Sequence, residues 1–173
     1  FGPGGVVCVP MRDPAGKQTW NLQTIKPAKP ADGGPEKLFL KGGRKSGLSH
    51  WCGSDTRASA PVLLVAEGYA TAASLHEATG RPVCVAFDAG NLAPVVRGIL
   101  SHPRGYFQGA LIVVCGDDDR DTAARTGRNP GREKATEAAR LARGVAVFPV
   151  LPDGAGSDFN DMHAAAGLQA AHF

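Results

Sequence analysis

Val62-Leu63-Leu64-Val65-Ala66-Glu67-Gly68-Tyr69-Ala70-Thr71-Ala72-Ala73-Ser74-Leu75-His76-Glu77-Ala78-Thr79-Gly80 decides the fold. Its first five residues are apolar without alternation, which reads as a strand covered on both faces. The run from Thr71 to Thr79 is helical, and Gly80 stops it. Between them stands Glu67-Gly68, an acid at the carboxyl end of a strand. The same sentence then repeats downstream. Val83–Phe87 is a second strand, and Asn91–Leu100 a helix with Asn91 as its N-cap. Ala110–Cys115 is a third strand. Asn129-Pro130 places a cap and a first-turn proline ahead of a helix that ends at Arg143-Gly144. Val145–Val150 is a fourth strand, and Asp161–Ala166 a short last helix before Gly167. Strands alternating with helices give an α/β unit, a parallel sheet of about four strands with helices on both faces.

Upstream the pattern changes. Ser54-Asp55-Thr56-Arg57-Ala58-Ser59-Ala60-Pro61 is a small polar stretch ending in proline, and it divides the chain into 1–60 and 61–173. The front segment reads as a small, mainly β subdomain: Gly5–Met11 is apolar, Asp13-Pro14-Ala15-Gly16 is a turn, Gln18–Ile25 is strand-like, and Lys37–Lys41 is a short strand. Charge divides at the same place. Residues 1–60 hold nine Lys/Arg against four Asp/Glu, whereas residues 61–173 hold ten against twelve. A basic front and an acidic back point to two tasks, polyanion contact and cation binding.

Composition excludes several classes. With 173 residues, 43% hydrophobic and 20% charged, the chain can bury a core, and 23 Gly with 13 Pro rule out a long coiled coil. No apolar run approaches the roughly 20 residues that span a bilayer. Phe1-Gly2-Pro3-Gly4-Gly5 has no basic leader region and reads as a continuation of something longer. Cys8, Cys52, Cys84 and Cys115 form no metal-binding pair and are expected to be buried free thiols in a reducing cytoplasm. Trp20 and Trp51 are assigned to the core, with base stacking as their functional alternative. His76 and His163 are assigned structural or surface roles within helices.

Acids recur where the strands end: Glu67, Asp88, Asp117-Asp118-Asp119, and the Asp158/Asp161 pair in Ser157-Asp158-Phe159-Asn160-Asp161. Ligands of parallel sheets bind beyond those ends. In extended chain, residues i and i+2 share a face, so Asp117 and Asp119 point together and Asp118 elsewhere. Such carboxylates repel one another unless a cation neutralises them, and hard oxygen ligands suit Mg²⁺ or Mn²⁺. A capping role for Asp158 is an equal alternative. Lys37, Lys41, Arg44 and Lys45 form the strongest basic cluster, interleaved with glycines that let backbone approach phosphate. Arg120 and Lys134 follow the acids, Lys134 on a helix whose N-terminus favours anions.

Val65-Ala66-Glu67-Gly68-Tyr69-Ala70-Thr71-Ala72 with Cys115-Gly116-Asp117-Asp118-Asp119-Arg120 resembles the Toprim domain of bacterial-type primases, topoisomerases and several nucleases. The order of Glu67–Gly80, Ala86–Leu92, Gly116–Asp119, Asn129–Ala135 and Asp158–Asp161 is most similar to the Toprim primases of conjugative plasmids and mobile elements. The resemblance implies a Toprim fold behind the end of a basic subdomain. It implies metal-dependent synthesis of short RNA primers on single-stranded DNA from nucleoside triphosphates, with Glu67, Asp117 and Asp119 catalytic. Glu67, Asp117, Asp119, Asp158 and Asp161 would then hold Mg²⁺ or Mn²⁺. Lys37, Lys41, Arg44, Lys45, Arg120 and Lys134 would contact nucleotide or nucleic acid. A zinc-binding template module and a helicase would be supplied elsewhere in a full-length protein. A Toprim nuclease and a non-catalytic nucleic-acid-binding module are the alternatives.

Overall fold

A computed structural model describes residues 3–53, 60–102 and 109–171. The expected boundary stretch therefore lies outside the described residues from 54 to 59. The front segment is an antiparallel meander of β1 (Val7–Arg12), β2 (Thr19–Ile25) and β3 (Lys37–Phe39), in that order across the sheet. The second sheet has order β4-β6-β5-β7-β8, with β4 at His50–Cys52, β5 at Val62–Ala66, β6 at Val83–Val85, β7 at Leu111–Cys115 and β8 at Val145–Val147. Its four downstream strands are parallel, as their unbroken apolar runs require.

The helices are α1 (Tyr69–Thr79), α2 (Leu92–Leu100), α3 (Arg120–Thr126), α4 (Pro130–Leu141) and α5 (Phe159–Ala166). Each face of the sheet has its own core. Leu63, Val65, Ile112 and Val114 meet α2 and α4 through Val96, Ile99, Ala135 and Ala138. The opposite face, with Leu64, Val83, Val85 and Val113, meets α1 and α5 through Leu75 and Phe159. Val9, Met11 and Leu48 from the front segment complete that second core. Ser49 and Arg12 exchange backbone hydrogen bonds at 2.9 Å, which ties the meander to the segment entering β4.

Several local expectations change. Strand β4 precedes the expected boundary yet pairs antiparallel with β6, register His50↔Val85. Strand β6 stops at Val85, because Phe87 takes φ 72° and turns the chain. Strand β8 stops at Val147, and Val150 is almost fully exposed. Trp20 is 45% exposed rather than core, since it lies on the meander face opposite the buried Asn21 and Gln23. Trp51 does pack against the α2/α4 core. Cys84 and Cys115 are buried and Cys52 partly so, but Cys8 is exposed on β1.

Asn91 does not cap α2 with its side chain. Asp88 caps the 3-10 turn Ala89–Asn91 that leads into α2, accepting the Asn91 backbone N–H at 3.0 Å. The Asn91 amide is instead buried and faces the front segment. Its Oδ1 accepts the Gly47 N–H at 2.7 Å, and its Nδ2 donates to the carbonyls of Ala86 at 2.7 Å and Leu48 at 3.0 Å. The two histidines behave as expected: His76 Nδ1 lies 2.7 Å from the Arg81 carbonyl, and His163 Nδ1 lies 3.0 Å from Ser74 Oγ.

Candidate metal centre and polyanion interface

Glu67 directly follows β5 and Gly116-Asp117 directly follows β7, and the two strands are neighbours in register, Ala66 opposite Cys115. Parallel pairing therefore delivers the two acids side by side. Glu67 is pushed up to about 7, first by burial and then by the charges of Asp119, Asp88 and Asp158, against a stabilising N–H from Ala89. Asp117 is pushed up to about 8, first by burial and then by Glu67, Asp158 and Asp119, with Lys37 pulling the other way. Asp117 Oδ1 is buried and has no hydrogen-bond partner. Five carboxylates, Glu67, Asp88, Asp117, Asp119 and Asp158, thus share one field at the sheet's carboxyl edge. Among the described residues no three His, Cys, Asp or Glu side chains stand close enough to grip an ion as they are. The cluster is electrostatic, and a buried oxygen without a donor amid like charges fits a divalent cation.

The remaining carboxylates separate by what they touch. Asp119 Oδ2 accepts the Gly131 N–H of α4 at 2.8 Å, and its own N–H donates to Asn129 Oδ1 at 3.1 Å. Asp118 points away, as the two-residue period requires. Its Oδ1 accepts from Asn129 Nδ2 at 2.8 Å and Arg132 Nε at 2.9 Å. Asp158 caps α5 through Oδ1, and its Oδ2 accepts from Thr71 Oγ1 at 2.9 Å. Asp161 turns its Oδ2 to the N–H groups of Ser157 at 2.8 Å and Asp158 at 3.3 Å, completing a capping box. The structure brings Glu67, Asp117, Asp119 and Asp158 together and gives the Asp161 carboxylate to its helix.

Gly131 is the second residue of α4 because nothing larger fits. A Cβ there would collide with the Asp117 carbonyl oxygen and reach within 3.0 Å of Asp119 Oδ2. Gly131→Ala is expected to lower stability by about 2 kcal/mol. That is a fall of roughly 4–8 °C in melting temperature for a chain of this size, measured by calorimetry.

The basic residues fall into two groups. Lys37 lies near enough to Asp117 to lower its pKa, and Lys45 pairs with Asp88 Oδ2 at 2.6 Å while its ammonium sits 5.0 Å from the Phe39 ring centre. Arg44 stacks on the exposed Trp20 ring at 4.6 Å, and Lys41 is exposed just beyond β3. Arg120 is held by Asp153 Oδ1 at 3.0 Å and the Pro152 carbonyl at 3.1 Å, on a cavity of about 560 Å³ that Asp119, Asp121 and Gly156 also line. Lys134 pairs with Glu137 at 2.8 Å on the exposed side of α4. Sequence reasoning did not assign site roles to Asn129, Arg132 or Thr71, which hold Asp118, Asp119 and Asp158. They lie within the strings Val65–Ala72 and Asn129–Ala135, which carry the resemblance without indicating that use.

The raised acids carry a sign. Glu67 and Asp117 keep protons when folded that the unfolded chain releases near pH 4, so their contribution to stability is present at low pH and lost as pH rises toward 7 and 8. A divalent cation bound among these acids would offset that loss. The gain in melting temperature on adding Mg²⁺ is expected to be larger at pH 8.5 than at pH 6, which calorimetry at both values checks.

Residues 62–169 match the family profile of the Toprim domain. A DNA primase TraC of Escherichia coli is 43% identical over 147 residues, covering 84% of this chain and 13% of that protein. A second DNA primase TraC of Escherichia coli is 42% identical over 144 residues, covering 83% of this chain and 9% of that protein. The chain thus spans a small fraction of the curated relatives it matches. Among solved structures, the DnaG primase catalytic domain bound to ssDNA aligns with a TM-score of 0.61 at 20% identity, over 95% of this chain and 49% of that one. The RNA polymerase domain of Mycobacterium tuberculosis primase DnaG aligns with a TM-score of 0.55 at 21% identity, over 96% and 53%. Those two likenesses are of fold.

Proposed function

Because the chain belongs to the Toprim domain family, we propose that it is the catalytic core of a DNA primase, joining ribonucleotides into short primers on single-stranded DNA. The observation that carries this reading is the meeting of Glu67 with Asp117 and Asp119 across neighbouring strand ends, in a chain 43% identical to a DNA primase over most of its length. Primases of the Toprim family are metal-dependent. Bound Mg²⁺ or Mn²⁺ would neutralise phosphate oxygens as pyrophosphate leaves. Asp117, Asp119 and Asp158 would hold such a cation, whereas Asp161 is committed to the α5 capping box.

Glu67, poised near 7, can take the proton from an attacking 3′-hydroxyl or serve as a further ligand. Lys37, Lys41, Arg44 and Lys45 supply positive charge for triphosphate and template, and Arg120 and Lys134 add to it. The basic subdomain (residues 1–60) would contact nucleotide and template, and the Toprim domain (residues 61–173) would hold the metal. Template recognition by a zinc-binding module, and coupling to a helicase, belong to the rest of a longer protein working in the cytoplasm. No helix among the described residues is long and apolar enough to cross a membrane.

The test supplies the chain, alone and within its longer protein, with single-stranded DNA, labelled ribonucleotides and Mg²⁺ or Mn²⁺. Short oligoribonucleotides that vanish with Glu67→Gln are expected. Metal-dependent DNA cleavage without nucleotides would make it a nuclease. Binding unaffected by Asp117→Ala or Glu67→Ala, without turnover, would make it a non-catalytic module.

A further inference from the structure

The five residues from Phe87 to Asn91 carry more constraint than a strand-to-helix turn needs. Phe87 is a buried aromatic at φ 72°, a left-handed conformation that side chains other than glycine avoid. The turn it makes leaves Asp88 with one oxygen on the Asn91 N–H at 3.0 Å and the other on Lys45 Nζ at 2.6 Å. The Lys45 ammonium also lies over Phe39, which meets Phe87 edge-on at 6.3 Å. On its other side the same turn gives the Ala89 N–H to Glu67. One strained segment therefore holds a cation and a catalytic-site acid at fixed separation.

Stability does not explain the pair. Asp88 Oδ2 is itself buried and makes no hydrogen bond, but the Lys45 and Asp88 side chains as wholes are 42% and 32% exposed, and ion pairs at such exposure add little. Geometry explains it better, because lysine has a long flexible stem whose freedom must be lost when it grips a ligand. An anchor removes that freedom in advance.

We propose that Asp88 is a positioning residue that holds the Lys45 ammonium at the rim of the Glu67–Asp117 cluster, where it receives the polyphosphate of an incoming nucleotide. The identity of the anion rests on the nucleotidyl-transfer reading above. Asp88→Asn is the sharpest variant, since its amide oxygen still accepts the Asn91 N–H while the charge pair is lost.

Calorimetric titration of the chain with Mg²⁺–nucleoside triphosphate reads the effect directly. Asp88→Asn and Lys45→Ala are each expected to weaken binding about 5- to 10-fold, with the double variant no weaker than either. Asp88→Glu should recover most of the affinity, and the melting temperature of Asp88→Asn should stay that of the parent. In primer synthesis the change should fall on KM for nucleotide and not on kcat. Unchanged binding in Asp88→Asn, additive effects in the double variant, or a parent chain that binds no triphosphate would each overturn the proposal. So would loss of Mn²⁺ binding in Asp88→Asn, measured with the metal alone, because Asp88 would then be a ligand. Asp88-dependent nucleotide binding without any primer synthesis would refute the primase reading and leave this one standing.

Discussion

Asp117→Asn is expected to abolish primer synthesis, by about 10³-fold or more, while making the metal-free protein more stable at pH 8. The two effects share one cause. Asp117 lies among Glu67, Asp119 and Asp158 and keeps a buried oxygen without a donor, so its charge is unfavourable until a cation meets it. A 10³-fold loss corresponds to roughly 4 kcal/mol of transition-state stabilisation. Removing a buried charge, and with it the like-charge repulsion, is worth about 1–2 kcal/mol once partial solvation is allowed for, or roughly 3–6 °C in melting temperature. The neighbouring residue provides the control. Asp118 is buried and accepts from Asn129 and from the half-exposed Arg132, so Asp118→Ala should lower stability by about 1–3 kcal/mol, the cost of leaving a part-buried donor unsatisfied. Calorimetry with chelator present and a primer-extension gel decide both. An Asp117→Asn protein that melts earlier than the parent, or that synthesises within tenfold of it, would remove Asp117 from the proposed centre.

Asn91→Ala is expected to cost about 3–4 kcal/mol. The substitution strands three backbone groups at once: the buried carbonyls of Leu48 and Ala86 and the part-buried Gly47 N–H. Each unsatisfied group costs about 1–3 kcal/mol, and partial relaxation keeps the sum below the simple total. Asn91→Asp is the informative companion. It can still accept from Gly47 but cannot donate to either carbonyl, so it should be nearly as damaging. Urea denaturation measures both, and a loss under 1 kcal/mol would mean that the front segment and the parallel sheet are joined by something other than this amide.

Much of this architecture was legible in the sequence because the parallel strands are unbroken apolar runs and the helices carry their own caps. The pairing of Asp117 with Asp119 follows from strand geometry alone. Other features left no such trace. Helix α3 buries none of its described side chains, so no hydrophobic period marks it. Strand β4 is three half-buried residues, too short for alternation to register. Asn91 stands where a cap is expected, and only the distant partners Gly47 and Leu48 reveal its different use. Asp161 shows the opposite case. Asp158-x-x-Asp161 is itself a capping-box spacing, and the acidic context drew attention to metal chemistry in place of the helix end.

The second core has a consequence for heredity. Val9, Met11 and Leu48 lie against Leu64, Val83 and Val85, so the 62–169 segment by itself would present a wet hydrocarbon wall. A gene rearrangement that moved only that segment would deliver a sticky, poorly soluble product. The piece that can travel intact between longer polypeptides is the meander and the Toprim layer together, inherited as one cassette.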